Sequence, residues 1–215
     1  MDILIKTLFA AFLFLFSCVS TVFAETKEVE VKVLDRHGKP IPQVLVLFEK
    51  LDTPQPATTA HVIEQVDMAF APEVLVIPVG SSVMFPNADT VAHHVYSFSK
   101  PNQFTLPLYH QGQTPSPVKF EHSGIVVLGC NIHDHMVGHI VVTDNQNHIW
   151  TDDNGIARIK VSTVNAEQSV RIWHARINTR REQLVKSISP DSTHLVFNLS
   201  KRLRPARETN PRSSY

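Results

Sequence analysis

The chain has 215 residues, with 20 Lys+Arg against 20 Asp+Glu, and 43% of it is hydrophobic. That length buries a full core, a formal net charge of +0 lacks the basic excess of a nucleic-acid binder, and 19% charged residues are too few for a disordered chain. Two cysteines exclude a disulfide-dense scaffold, whereas 12 histidines direct attention to metals.

Residues 1–24 read as an export signal. Lys6 supplies the positive charge, Leu8 to Phe16 an unbroken apolar run, and Val22-Phe23-Ala24 a cleavage site that starts the mature chain near Glu25. The apolar run is shorter than the roughly 20 residues that a bilayer span requires, so no stable membrane insertion is expected after cleavage. Cys18 with its preceding Ser17 hints at lipid attachment, but Phe16 is the wrong residue in front of them. Removal of Cys18 leaves Cys130 as the one mature cysteine in an oxidising compartment, expected to be the periplasm. It is then buried and inert, paired between chains, or bound to a metal.

The mature chain reads as all-β. Val29, Val31 and Val33 alternate with Glu30 and Lys32, the period of a half-buried strand. A turn over 35–40 leads to a second apolar strand over 43–48. Strand-like runs follow at 74–77, 82–85, 95–98, 118–120, 125–128 and 140–143. Beyond Asn154-Gly155 come the alternating Ala157, Ile159 and Val161, then 170–173 and the set Leu195, Phe197 and Leu199. Short strands separated by Pro, Gly, Asp and Asn predict a sandwich or barrel. The Pro-containing stretch 53–59 reads as a linker, a second junction falls near 144–148, and 201–215 reads as a solvated basic tail. Trp150 and Trp173 are expected to be packing residues.

The segment from Gly129 to Gly138 carries the chemistry. It is expected to be a loop between the strands at 125–128 and 140–143, with Cys130, His133 and Met136 in a Cys-x2-His-x2-Met spacing. A thiolate, an imidazole and a thioether on one centre suit copper in both oxidation states. A second imidazole has to come from elsewhere, and Asn87 to Val95 offers the adjacent His93 and His94. A rival set of Cys130, His133, His135 and His139 has the donors of a tetrahedral zinc site. Otherwise His135 and His139 read as solvent-facing or structural.

On these two motifs, residues 61–144 resemble a cupredoxin of the plastocyanin–amicyanin type. In that family an aromatic at a strand end, here Phe85, precedes an Asn, a loop and the first histidine ligand, and amicyanin has the short Cys-x2-His-x2-Met loop. The resemblance implies a Greek-key sandwich binding one copper ion, Cu(II)/Cu(I), through Cys130, His133, the axial Met136 and either His93 or His94. Gap-free counting from Phe85 places His93 on the ligand position. Strand alternation favours His94 if Tyr96 and Phe98 face the core. The choice stays open.

The flanks, 25–60 and 145–200, resemble the two halves of a carboxypeptidase-regulatory-like (transthyretin-like) sandwich into which the cupredoxin is inserted. The mature chain also resembles bacterial proteins of the methylamine-utilisation type, which implies a redox neighbourhood. The expectation is therefore a periplasmic type 1 copper protein, not an enzyme, that carries single electrons. Its partner would be a cytochrome or dehydrogenase, docking transiently at an apolar collar near His133, with Val137, Pro107 and Leu108 as candidates. The alternative is a protein that delivers or buffers copper, favoured by the extra histidines His94, His110, His135 and His139.

Overall fold

The computed structural model describes residues 26–48, 60–144, 147–162, 168–177, 184–189 and 191–206. The export signal with Cys18, the linker at 53–59 and the tail beyond 206 lie outside the described residues. Within them the chain is all-β and has no helix.

The strands open with β1 (Thr26–Leu34) and β2 (Leu45–Phe48). Next come β3 (Ala60–Val62), β4 (Glu64–Val66), β5 (Ala69–Ala71), β6 (Val74–Pro78), β7 (Ser82–Met84), β8 (Val95–Ser97), β9 (Phe104–Thr105) and β10 (Val118–Lys119). The long hairpin of β11 (Gly124–Cys130) and β12 (His133–Thr143) follows. The chain then forms β13 (His148–Trp150), β14 (Ile156–Ser162), β15 (Gln168–Trp173), β16 (Val185–Ile188) and β17 (His194–Asn198).

Strands from the two ends of the chain pair with one another. One sheet has the order β14-β1-β17, the second β13-β2-β15-β16. Between them lies an apolar core in which Val29, Val31 and Val33 meet Val44, Val46, Phe48, Val170, Ile172 and Phe197. The alternation of β1 thus turns valines inward and Glu30 and Lys32 outward. The turn before β14 closes on β1: Gly155 has φ +68°, and a Cβ there would lie 2.6 Å from the Val33 carbonyl oxygen. Only glycine fits that combination.

The middle of the chain pairs within itself. A five-stranded sheet, β6-β12-β11-β8-β9, packs with the β10-β7-β3 sheet and the β4-β5 hairpin around a second core. Phe85, Phe120, Val95, Leu128, Ile140 and Ile63 are all fully buried there.

A third apolar cluster joins the two groups of strands. Leu45 and Leu47 of β2, Trp173 of β15 and Val141 of β12 bury together, with Val74 and Val76 packed against them. This accounts for the unbroken apolar runs of β2 and of β12 from Ile140 to Val142. A strand covered on both faces shows no alternation. Trp150, expected to pack, is 37% exposed, whereas Trp173 is 7% exposed.

Candidate metal centre

The segment expected to be a loop is the tip of a hairpin. β11 continues to Cys130, β12 resumes at His133, and only Asn131 and Ile132 turn the corner. The register explains how three potential donors arise from so short a turn. Gly129 pairs with Val137, but Cys130 pairs with His133, so Asp134, His135 and Met136 bulge out of the ladder. The bulge returns His133 to the side of Cys130 and drives Met136, 2% exposed, into the core that also contains Cys130.

β8 flanks β11 on its other side, with Cys130 opposite Val95 and Gly129 opposite Tyr96. The face of β8 that meets the core is not the one anticipated. Val95 and Ser97 are buried, while Tyr96 is half-buried and Phe98 is 74% exposed. The cause is local. Gly129 leaves a slot on the outer face, and the Tyr96 ring fills it, so closely that a Cβ on Gly129 would lie 2.8 Å from Tyr96 Cζ. Phe98 packs against Tyr96 at a tilt, with ring centroids 4.9 Å apart. The two-residue period therefore carries His93 inward with Val95 and Ser97, and His94 outward beside Tyr96.

His93, Cys130 and His133 converge. Their ligand atoms lie within 4.8 Å of one another, the one such His/Cys/Asp/Glu group among the described residues that includes Cys130. Cys130 Sγ stands 3.7 Å from Nδ1 of His93 and 3.6 Å from Nδ1 of His133. His93 is fully buried, Cys130 nearly so, and His133 half-buried at the rim. His94 contributes its backbone, whose N–H donates to the sulfur, as does that of Ile132.

Charge is matched to this geometry. Burial pushes the Cys130 thiol up, but the hydrogen bond with His93 and the two backbone N–H groups outweigh it and hold the thiol below its ordinary range. Burial lowers His93, yet its bonds to Cys130 and Asp89 leave it raised. His133 is lowered, first by burial and then by the neighbouring His93 and His135.

A framework of polar contacts fixes His93. Its backbone exchanges N–H···O bonds with Tyr109 at 2.9 and 3.0 Å. Its Nε2 lies 2.7 Å from Asp89 Oδ2. Buried Asn87 donates from Nδ2 to the Val91 and Tyr109 carbonyls, at 2.9 and 3.2 Å. Tyr109 is itself anchored by Gln65 and by the Phe85 carbonyl, and burial pushes its hydroxyl well above the usual range. Asp89 had no role in the sequence reading; its position four residues before His93 is the signal that marks it.

A thiolate with two imidazoles and a thioether buried nearby is a donor set for copper. The rival zinc set does not assemble. Neither His135 nor His139 brings a ring nitrogen into the group of His93, Cys130 and His133, and the ring of His139 packs edge-on against Trp173 at 5.4 Å.

No protein-family model and no curated protein matches the chain. Solved structures do. A purple cupredoxin from Nitrosopumilus maritimus is 26% identical over 39% of this chain and 98% of its own, with a TM-score of 0.34. A reduced amicyanin mutant is 21% identical over 42% of this chain and 97% of its own, with a TM-score of 0.36. The copper-containing nitrite reductase of Thermus scotoductus SA-01 is 22% identical with a TM-score of 0.39; the match covers 53% of this chain but 28% of that enzyme.

Proposed function

We propose that the protein is an exported, periplasmic mononuclear type 1 copper protein that carries single electrons between redox partners and is not itself an enzyme. The observation that carries this reading is the buried Cys130 sulfur, set at 3.7 and 3.6 Å from two imidazole nitrogens. Cys130, His93 and His133 would hold the ion, with Met136 as a weak fourth donor, and copper bound there would supply a one-electron couple. The chain's own contribution is stiffness. His93 is tied through its ring and its backbone, and the sulfur accepts two backbone N–H bonds, so the donors have little freedom to rearrange when the charge changes. His133 at the rim is the edge for electron exit. Pro107 and Leu108 next to Tyr109 are exposed, Leu108 by 53%, and offer an apolar contact for a brief encounter with a cytochrome or dehydrogenase. The resemblance to methylamine-utilisation proteins supports such a redox neighbourhood. We read the two flanks as one transthyretin-like sandwich that carries the copper module as an insertion, supported by the pairing of β1 with β14 and of β2 with β15.

Titration of the purified protein with Cu(II) tests the reading. One equivalent is expected to produce an intense visible thiolate band and a reversible one-electron couple, and Cys130→Ala to abolish the band. Several weakly coloured coppers per chain would instead favour delivery or buffering.

A further inference from the structure

Asp89 is half-buried beside the donors without being one of them. Its side chain is 11% exposed, and its Oδ2 lies 2.7 Å from Nε2 of the fully buried His93. The carboxylate is held from one further direction, and the Asp89 main chain is fixed beside it. The backbone N–H of Met68 donates to the same Oδ2 at 2.9 Å, and the backbone N–H of Asp89 donates to Asn87 Oδ1 at 2.9 Å. The Met68 donor comes from a tight turn between β4 and β5, where Asp67 and Met68 have φ of 52° and 53°. That pair of left-handed residues is the mark of a two-residue hairpin turn whose second N–H is free to point away from the ladder. The β4–β5 hairpin, which supplies no metal donor, thus reaches the centre through one carboxylate.

We infer that Asp89 is a positioning residue that fixes the tautomer and the ring plane of His93. A carboxylate accepts hydrogen bonds and does not donate them, so Nε2 carries a proton in this contact and Nδ1 is the nitrogen that faces Cys130. An imidazole without that partner distributes its proton between the two nitrogens and rotates about its side-chain torsions, and loss of such a contact typically weakens metal binding by about 10–100-fold. The negative charge behind the ring also makes His93 a better donor to the more highly charged ion. Asp89 therefore favours Cu(II) over Cu(I) and lowers the reduction potential. This inference rests on the copper reading for its second consequence but not for its first.

Two substitutions separate geometry from charge. Asp89→Asn keeps an oxygen that accepts from Nε2 but removes the charge; Asp89→Leu removes both. In the copper-free protein, 15N NMR of the His93 ring is expected to show Nε2 protonated in the wild type and in Asp89→Asn, and only partly so in Asp89→Leu. In the copper-loaded protein, Asp89→Asn is expected to retain most of its affinity and to raise the potential, while Asp89→Leu loses affinity roughly 10–100-fold. A purely structural role would lower the melting temperature without moving the tautomer in Asp89→Leu or the potential in Asp89→Asn. An unprotonated Nε2 in the wild type, or an unchanged potential in Asp89→Asn, overturns the inference. Should Asp89→Leu fail to fold, the wild-type tautomer and the Asp89→Asn potential still decide it. If the wild type gives no thiolate band, the copper reading falls, and the tautomer measurement judges Asp89 by itself.

Discussion

His93 and His94 are chemically identical neighbours separated in role by the pleat of one strand. The ring of His93 faces Cys130, whereas the ring of His94 lies beside Tyr96 with centroids 5.9 Å apart. His94 acts on the sulfur through its main-chain N–H, which any residue except proline supplies. Replacing His93 with Ala is therefore expected to abolish the thiolate band on Cu(II) addition, while His94→Ala retains it with at most a small shift. Absorption spectra of the two variants at one equivalent of copper check this, and the reverse pattern would reject the assignment. The sequence left the pair undecided for a physical reason. A period of two shows that residues 93, 95 and 97 share a face, but not which face is covered. Tyr96 and Phe98 looked like core residues because they are aromatic. What sends them outward is the missing side chain of Gly129 on the adjoining strand, a neighbour that no local pattern reveals.

At the scale of elements, the hairpin of β11 and β12 was legible as two strands and a donor spacing, but its shape was not. His133, Asp134 and His135 have no apolar alternation, so they read as loop; the three-residue slip in register makes them a strand start with a bulge. The turns of the flanking sandwich follow sequence more closely, because their chemistry is local. Asp35 Oδ1 accepts from the N–H groups of His37 and Lys39 at 2.8 and 2.9 Å. Asp152 Oδ1 accepts from those of Asn154 and Ile156, both at 2.9 Å. These backbone donors, led by Lys39 for Asp35 and by Ile156 for Asp152, hold both carboxyls below the ordinary range. A folded-state pKa below the unfolded value gives stability that is complete above the unfolded pKa and disappears as pH falls through the folded one. The melting temperature is thus expected to fall as the pH drops below about 4. The double variant Asp35→Asn, Asp152→Asn, whose amide oxygens accept the same bonds without titrating, is expected to show a shallower acid slope in circular-dichroism melts. An equal slope would remove these turns from the acid response.

Across the whole molecule, sequence patterns identified the strands but not their partners. β1 pairs with β14 and, in parallel, with β17, and nothing in Val29, Val31 or Val33 specifies Ile159 or Phe197 as a neighbour. Pairing is set by which apolar faces can be buried together, and here the faces form two cores with a third cluster between them. Trp173 is central to that third cluster. Its indole is buried with Leu45, Leu47 and Val141, and His139 of the β11–β12 hairpin packs edge-on against it. Removing the ring leaves both outer cores complete but hollows the contact that couples them. Trp173→Ala is expected to cost about 3–5 kcal/mol of that contact and to break the single cooperative transition into two, because each group of strands retains its own core. The copper band should persist in this variant, since none of His93, Cys130, His133 or Met136 belongs to the third cluster. Melting followed in parallel by the visible thiolate band and by far-ultraviolet circular dichroism separates the outcomes. Coincident curves in the wild type and divergent ones in Trp173→Ala fit a coupling role, whereas coincident curves in both would mean that the two cores unfold as one without the indole.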